Sequence, residues 1–264
     1  MPLTDTSPAF AERSAQEQAV LRVRNFHKSY RKLPAVTDLS FDLSAGEILG
    51  FIGRNGAGKT TTMRCVAGIL KPTSGQILVS GEDVRLKPIE AKSRLAIVPD
   101  EPRLFDALTV WEHLQFTAAA YRVAKFEETA SELLEEFELD NRRNSLCHEL
   151  SRGMRQKVAI CCALLHSPDL IMFDEPLTGL DPQGIRTIKE AVRLRAARGA
   201  GVMLSSHLLV LVEDLCNRYL IIDRGRQQFF GDIVEARGAF AHLREAASLE
   251  ELFFHVTETS AGEG

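Results

Sequence analysis

The sequence predicts an α/β domain built on a mainly parallel sheet, with an antiparallel β subdomain ahead of it and a helical subdomain inserted into it. Three observations carry this. Short apolar runs alternate with helical patterns along most of the chain. Several of these runs are apolar almost throughout, the pattern of strands buried on both faces. The alternation stops between about Leu108 and His166, where successive helical stretches have no strand between them.

The elements follow in order. Residues 1–20, MPLTDTSPAFAERSAQEQAV, have neither the basic start nor the apolar centre of a signal peptide and read as a flexible tail. VRNFHKSY and AVTDLSFDLS read as antiparallel strands joined by the turn RKLP. EILGFIG (47–53), QILVSG (76–81), RLAIVP (94–99), DLIMFD (169–174), GVMLSS (201–206) and RYLIID (218–223) read as further strands. KTTTMRCVAGIL and IRTIKEAVRLRAA are helical stretches between them. LTVWEHLQFTAAAYRV, EETASELLEEFEL and SRGMRQKVAICCALL fill a helical subdomain of about residues 101–166. RGRQQFFGD is a turn and an edge strand, so the main body spans 21–232 and a helical tail with a frayed polar end, TETSAGEG, fills 233–264.

Composition narrows the function. At 264 residues and 45% hydrophobic, the chain can bury a sizeable core. A formal net charge of −4 supplies no overall basic field for nucleic acid. The longest apolar stretch, VMLSSHLLVLV at 202–212, is too short and too polar to span a bilayer. The five cysteines include no CxxC pair and are expected to be reduced and mostly buried.

Two motifs carry chemistry. GRNGAGKT, residues 53–60, fits G-x-x-x-x-G-K-[ST] between a predicted strand and a predicted helix, the pattern of a phosphate-binding P-loop. Gly53, Gly56 and Gly58 let backbone N–H groups turn toward a polyphosphate. Lys59 is placed to reach the β- and γ-phosphates, and the Thr60 hydroxyl to hold Mg²⁺. Arg54, Asn55, Ala57 and Thr61 complete the loop and helix start that would surround a nucleotide. DLIMFDEP, residues 169–176, is an apolar strand ending in two acids. Asp174 is the candidate Mg²⁺ group and Glu175 the candidate general base. A third feature is a puzzle: in LSRGMRQK, residues 150–157, Ser151 caps a helix whose start carries Arg152, Arg155 and Lys157, so that end awaits an anion.

Taken together, these motifs resemble the ATP-binding subunit of ABC (ATP-binding cassette) transporters over nearly all of residues 21–225. Residues 53–60 resemble the Walker A loop, 170–175 the Walker B strand, and LSRGM, 150–154, the signature motif usually written LSGGQ. Asp181, after Leu180, resembles the D-loop acid, His207 the switch histidine, and Tyr30 the aromatic residue that stacks on adenine. The resemblance implies ATP and Mg²⁺ as cofactors, and catalysis by Glu175, His207 and Lys59. It also implies a head-to-tail pair of ATPase subunits in which Ser151 and Gly153 meet ATP held by the partner's P-loop.

Two motifs depart from the family pattern. Arg152 and Met154 stand where the signature has a Gly and its Gln. In IVPDEPRLF, residues 97–105, Asp100 stands where the Q-loop Gln is expected, and it reads either as a Mg²⁺ contact or as a plain loop or capping acid.

The resemblance further implies a separate membrane permease, docked near Leu104 and Phe105, no nucleic-acid partner, and a cytoplasmic location on the inner face of the membrane. The tail SLEELFFHVTE resembles that of export ATPases encoded apart from their permeases. A non-transport ATPase of the superfamily, such as one for iron–sulfur assembly, and a nucleotide-sensing module that does not turn over are the alternatives.

Overall fold

The computed structural model describes residues 19–177, 180–239 and 248–259. Of the flexible tail expected over residues 1–20, residues 1–18 lie outside the described residues, as does the polar end from 260 onward, whereas Ala19 and Val20 already belong to the first strand, paired in its sheet.

Two sheets organise the chain. The smaller contains β1 (Ala19–Tyr30), β2 (Leu33–Ser44), β4 (Ser74–Val79) and β5 (Glu82–Asp83) in the order β2-β1-β4-β5, all antiparallel. The larger contains β3 (Ile48–Ile52), β6 (Leu95–Val98), β7 (Leu170–Asp174), β8 (Gly201–Ser205), β9 (Arg218–Asp223) and β10 (Arg226–Gly231). Its order is β10-β9-β3-β8-β7-β6, parallel except for β10, which returns antiparallel on β9 as an edge strand.

One expectation needs correcting. QILVSG reads from sequence as one more strand of the α/β alternation, yet β4 pairs antiparallel with β1 in the smaller sheet. The reason is visible in its burial: Ile77 and Val79 are buried while Gln76 is exposed, as in a strand with one solvated face. Every residue of β3, β7 and β8, by contrast, is buried.

Strand side chains alternate between two cores. Ile52, Ile171, Phe173, Val202 and Leu204 face a helix-covered core, whereas Leu49, Phe51, Leu170, Met172 and Met203 face the space filled by the smaller sheet and α1 (Lys59–Val66). This two-sided burial is what fixes the register of the parallel strands and lines up their carboxyl ends.

After β5 comes the short α2 (Pro88–Ser93), opened by a proline at its first position. Between β6 and β7 run α3 (Val110–Tyr121), α4 (Phe126–Glu136) and α5 (Arg152–Leu164). Helix α3 starts with a capping box in which the Thr109 hydroxyl and the Glu112 side chain satisfy each other's backbone N–H. Helix α6 (Pro182–Ala197) follows β7 and is tied to α4 by a two-pronged pair, Arg195 to Glu136, at 2.7 Å for both prongs.

Helix α7 (Leu209–Leu215) follows β8, then β9, β10, α8 (Ile233–Ala239) and α9 (Leu249–Thr259). Gly50 in β3 lets α7 approach closely: a Cβ there would lie 2.5 Å from Val212 Cγ1. The segment read as frayed begins at Thr257, but Thr257 is buried and its hydroxyl donates to the Phe253 carbonyl at 2.9 Å, so α9 continues through it.

Candidate nucleotide site at the strand ends

The loop between β3 and α1 leaves the carboxyl end of a central strand, the place where open α/β sheets bind ligands. Its shape depends on glycine. Gly58 has φ of 108°, and a Cβ on it would sit 2.8 Å from the Ala35 carbonyl oxygen of β2. The loop is braced from behind, because Gly225 donates from its N–H to the Ala57 carbonyl at 3.0 Å. Arg54, Asn55, Gly56 and Thr60 are exposed, Gly58 and Thr61 half-buried, and Gly53, Ala57 and Lys59 buried, so the loop presents one open rim over a packed base.

Lys59 points back into the loop, donating to the Gly53 carbonyl at 2.6 Å and the Arg54 carbonyl at 3.4 Å. Burial pulls its pKa down from the ordinary value, while the Glu175 and Asp174 carboxylates pull it back up. A cation held between carbonyls and two acids is poised to exchange those partners for phosphate oxygens.

The two acids stand at the end of β7, the next strand but one from β3. Asp174 closes β7 opposite Ser205, which closes β8. The fully buried Ser205 hydroxyl donates to Asp174 Oδ1 at 2.6 Å, and its oxygen accepts from the Glu175 N–H at 3.2 Å. That N–H also reaches the Ser205 carbonyl at 3.0 Å. Glu175 itself has φ of 53°, a left-handed backbone unusual for a residue with a Cβ, and these bonds hold it there. Its Oε2 accepts from the His207 backbone N–H at 3.2 Å and lies 2.8 Å from His207 Nδ1. Four residues at two strand ends thus form one chain of contacts, linked through the Glu175 backbone N–H: Asp174, Ser205, Glu175, His207.

Ser205 was legible only as a neighbour of His207 in the sequence; the signal for its role is a serine at a strand end beside an acidic strand end, which needs the sheet order to be read. Hard oxygen donors fit Mg²⁺. The exposed Thr60 side chain at the start of α1 and the Asp174 carboxylate, steadied by Ser205, are the donor set that suits it.

The remaining expected residues make their contacts with other partners. Ser151 caps α5, its oxygen accepting from the Met154 N–H at 3.3 Å, and α5 has no acid in its first turn. Gly153 sits within that first turn. Asp100 faces α5, where Arg152 donates to Oδ1 at 3.2 Å. Asp181 caps α6, accepting from the Gly184 N–H at 3.0 Å. Tyr30 ends β1 with 47% of its surface exposed, and Lys28 Nζ lies 5.0 Å from its ring centroid. A second tie to the loop was missed from sequence: Arg54 donates to the Thr257 hydroxyl oxygen at 3.3 Å, joining α9 to the P-loop rim.

Leu104 and Phe105 separate. Leu104 packs against the helix-covered core, whereas Phe105 is 58% exposed and meets Phe116 edge-on at a centroid distance of 5.7 Å. The cysteines at positions 65, 147, 161, 162 and 216 are free thiols, all but Cys162 buried. No helix among the described residues is long and apolar enough to cross a membrane.

A Gly-shaped phosphate loop, an acid pair at the next-but-one strand end and a capped signature helix between them define a P-loop ATPase of the cassette class. The chain belongs to the ABC transporter family, whose model matches residues 36–178. It is similar to the ABC-type transporter ATP-binding protein EcsA of Bacillus subtilis (strain 168), 36% identical over 251 residues that cover 92% of this chain and 99% of that one. The SkfA peptide export ATP-binding protein SkfE of the same organism is 36% identical over 209 residues, 78% of this chain and 87% of the relative. A solved structure of an ATP binding subunit of an ABC transporter superimposes with a TM-score of 0.87 at 35% identity, covering 90% of this chain and 99% of that chain. The chain is an ATP-binding and ATP-hydrolysing subunit that powers an ABC transporter.

Proposed function

We propose that this ATPase works as a pair of cassettes, in which the P-loop of one copy and the Ser151 end of α5 on the other enclose each ATP. Four features support this reading. The chain holds one P-loop and one signature helix, the Ser151 oxygen already accepts a bond from its own helix so its O–H is available to an anion, the helix start lacks an acid, and Asp174 and Glu175 stand beside a buried Lys59.

The observation that carries catalysis is the 2.8 Å contact between Glu175 and His207. Glu175 accepts the proton of the attacking water, and its carboxylate is held in line by the His207 backbone and ring. Lys59 neutralises charge gathering on the phosphate oxygens. When bound, Mg²⁺ would sit with Thr60 and Asp174 and lend positive charge to the phosphates. Asn55, Gly56, Gly58 and Thr61 surround the phosphates, Tyr30 flanks the base, and Asp181 lies toward the pair's seam.

The exposed Phe105 and Phe116 edge on the helical insertion suits an apolar helix of a separate permease on the cytoplasmic side of a membrane. The likeness to a subunit named for peptide export supports outward transport. The test is Glu175→Gln: with ATP and Mg²⁺ it should dimerise and release phosphate at least about a hundredfold more slowly than the parent chain, as expected for loss of a general base. A variant that keeps the parental rate would refute the assignment.

A further inference from the structure

Two of the positions that depart from the family pattern touch each other. Arg152, the first helical residue of α5, donates to Asp100, two residues past the end of β6, across 52 positions of sequence. One turn further along the same helix, the buried Gln156 donates to the Pro99 carbonyl at 3.4 Å. Residues at i and i+4 share a helix face, so Arg152 and Gln156 form two rungs that join the 99–100 segment to the signature helix. Gln156 is the permanent rung because it is dry. The Arg152–Asp100 rung is not, since both side chains are 47% exposed.

Position sets the chemistry of that outer rung. A guanidinium at a helix N-terminus stands among unpaired N–H groups that repel it. Helix α5 has no acid in its own first turn, so the offsetting carboxylate comes from Asp100. A single carboxylate on a half-exposed guanidinium is a replaceable partner, and a polyphosphate, with more charge and more oxygens in the same planar reach, outcompetes it.

Resting on the paired-cassette reading, we infer that Arg152 is a phosphate-binding residue for the ATP held by the partner copy, and that Asp100 is its positioning residue. Asp100 holds the guanidinium at the mouth of α5 until the nucleotide takes the carboxylate's place. Asp100 thereby acts through Arg152 in its own chain, and its effect on the ATP site passes through that guanidinium.

ATP-driven dimerisation of the full chain in the Glu175→Gln background, followed by light scattering across protein concentrations, tests this. Arg152→Ala should weaken association about tenfold or more, the loss of one charge-assisted hydrogen bond. Arg152→Lys should recover part of that, because charge remains while the planar fork does not. Asp100→Ala should strengthen it about threefold, because the exposed ion pair that ATP must displace is gone, with its Mg²⁺ dependence unchanged. The deciding measurement is the double variant: Asp100→Ala should add nothing once Arg152 is Ala. Arg152→Gln and Asp100→Asn repeat the cycle with near-isosteric side chains, which keeps the result independent of folding. An Arg152→Ala chain that associates as tightly as its parent overturns the inference alone. So does an Asp100→Ala effect that persists without Arg152 or that moves the Mg²⁺ requirement. A Glu175→Gln chain that stays monomeric at saturating ATP overturns the paired reading and this inference with it.

Discussion

Replacing Ser205 by Ala removes one oxygen from the contact chain and leaves its ends in place. Ser205 is fully buried, and its hydroxyl supplies a 2.6 Å bond to Asp174 Oδ1. The Glu175 N–H loses its 3.2 Å bond to that oxygen but keeps the 3.0 Å bond to the Ser205 carbonyl, so no backbone donor is orphaned. The cost is therefore the one bond to a charged acceptor in a dry site, about 2 kcal/mol. For a chain of this size that lowers Tm by about 5 °C. Catalysis should fall further than stability implies, because a loosened Asp174 also frees the left-handed Glu175 to relax away from His207. We expect kcat down by about tenfold or more, each tenfold being ~1.4 kcal/mol of barrier, with a smaller change in the KM for ATP. Calorimetry and steady-state phosphate release read the two effects separately. An unchanged Tm together with an unchanged kcat would show that the Ser205 bridge does not organise the acid pair.

Two other expectations follow from the structure. Glu136→Ala strands Arg195, whose side chain is only 13% exposed, and should cost about 2 kcal/mol by urea titration; replacing both partners with Leu and Met should restore most of it, and a full loss in the double variant would contradict this. Burial pushes the Cys65, Cys147 and Cys162 thiols up to about 11 from the ordinary 9.0. The unfolded chain then gives up these protons first as pH rises, so their contribution is intact below pH 9 and is lost as pH climbs through about 11; a urea midpoint that does not fall across that window would refute it.

Much of the fold could be read before the structure because burial on both faces leaves an unmistakable run, as in DLIMF and GVMLS, where no residue is exposed. The P-loop was legible because glycines, Lys59 and Thr60 are local in sequence. What escaped was set by partners far away. Strand β4 looks like its parallel neighbours until its exposed Gln76 is matched with β1. Helix α7 hides in VMLSSHLLVLV, since an unbroken apolar stretch has no period to betray where strand becomes helix. The Asp100–Arg152 contact and the Arg54–Thr257 contact each join residues more than fifty positions apart, beyond the reach of any spacing rule.

The close seat of α7 against Gly50 has a consequence for His207. On one side the histidine is anchored by β8, paired with β3 and β7, and on the other by α7, whose Val212 rests where any larger residue at position 50 would collide. Only residues 206–208 lie between these anchors. The imidazole thus sits on a three-residue tether whose two ends are fixed by packing. Enlarging Gly50 would push the helix outward and move one end of that tether without touching a single group that meets the nucleotide.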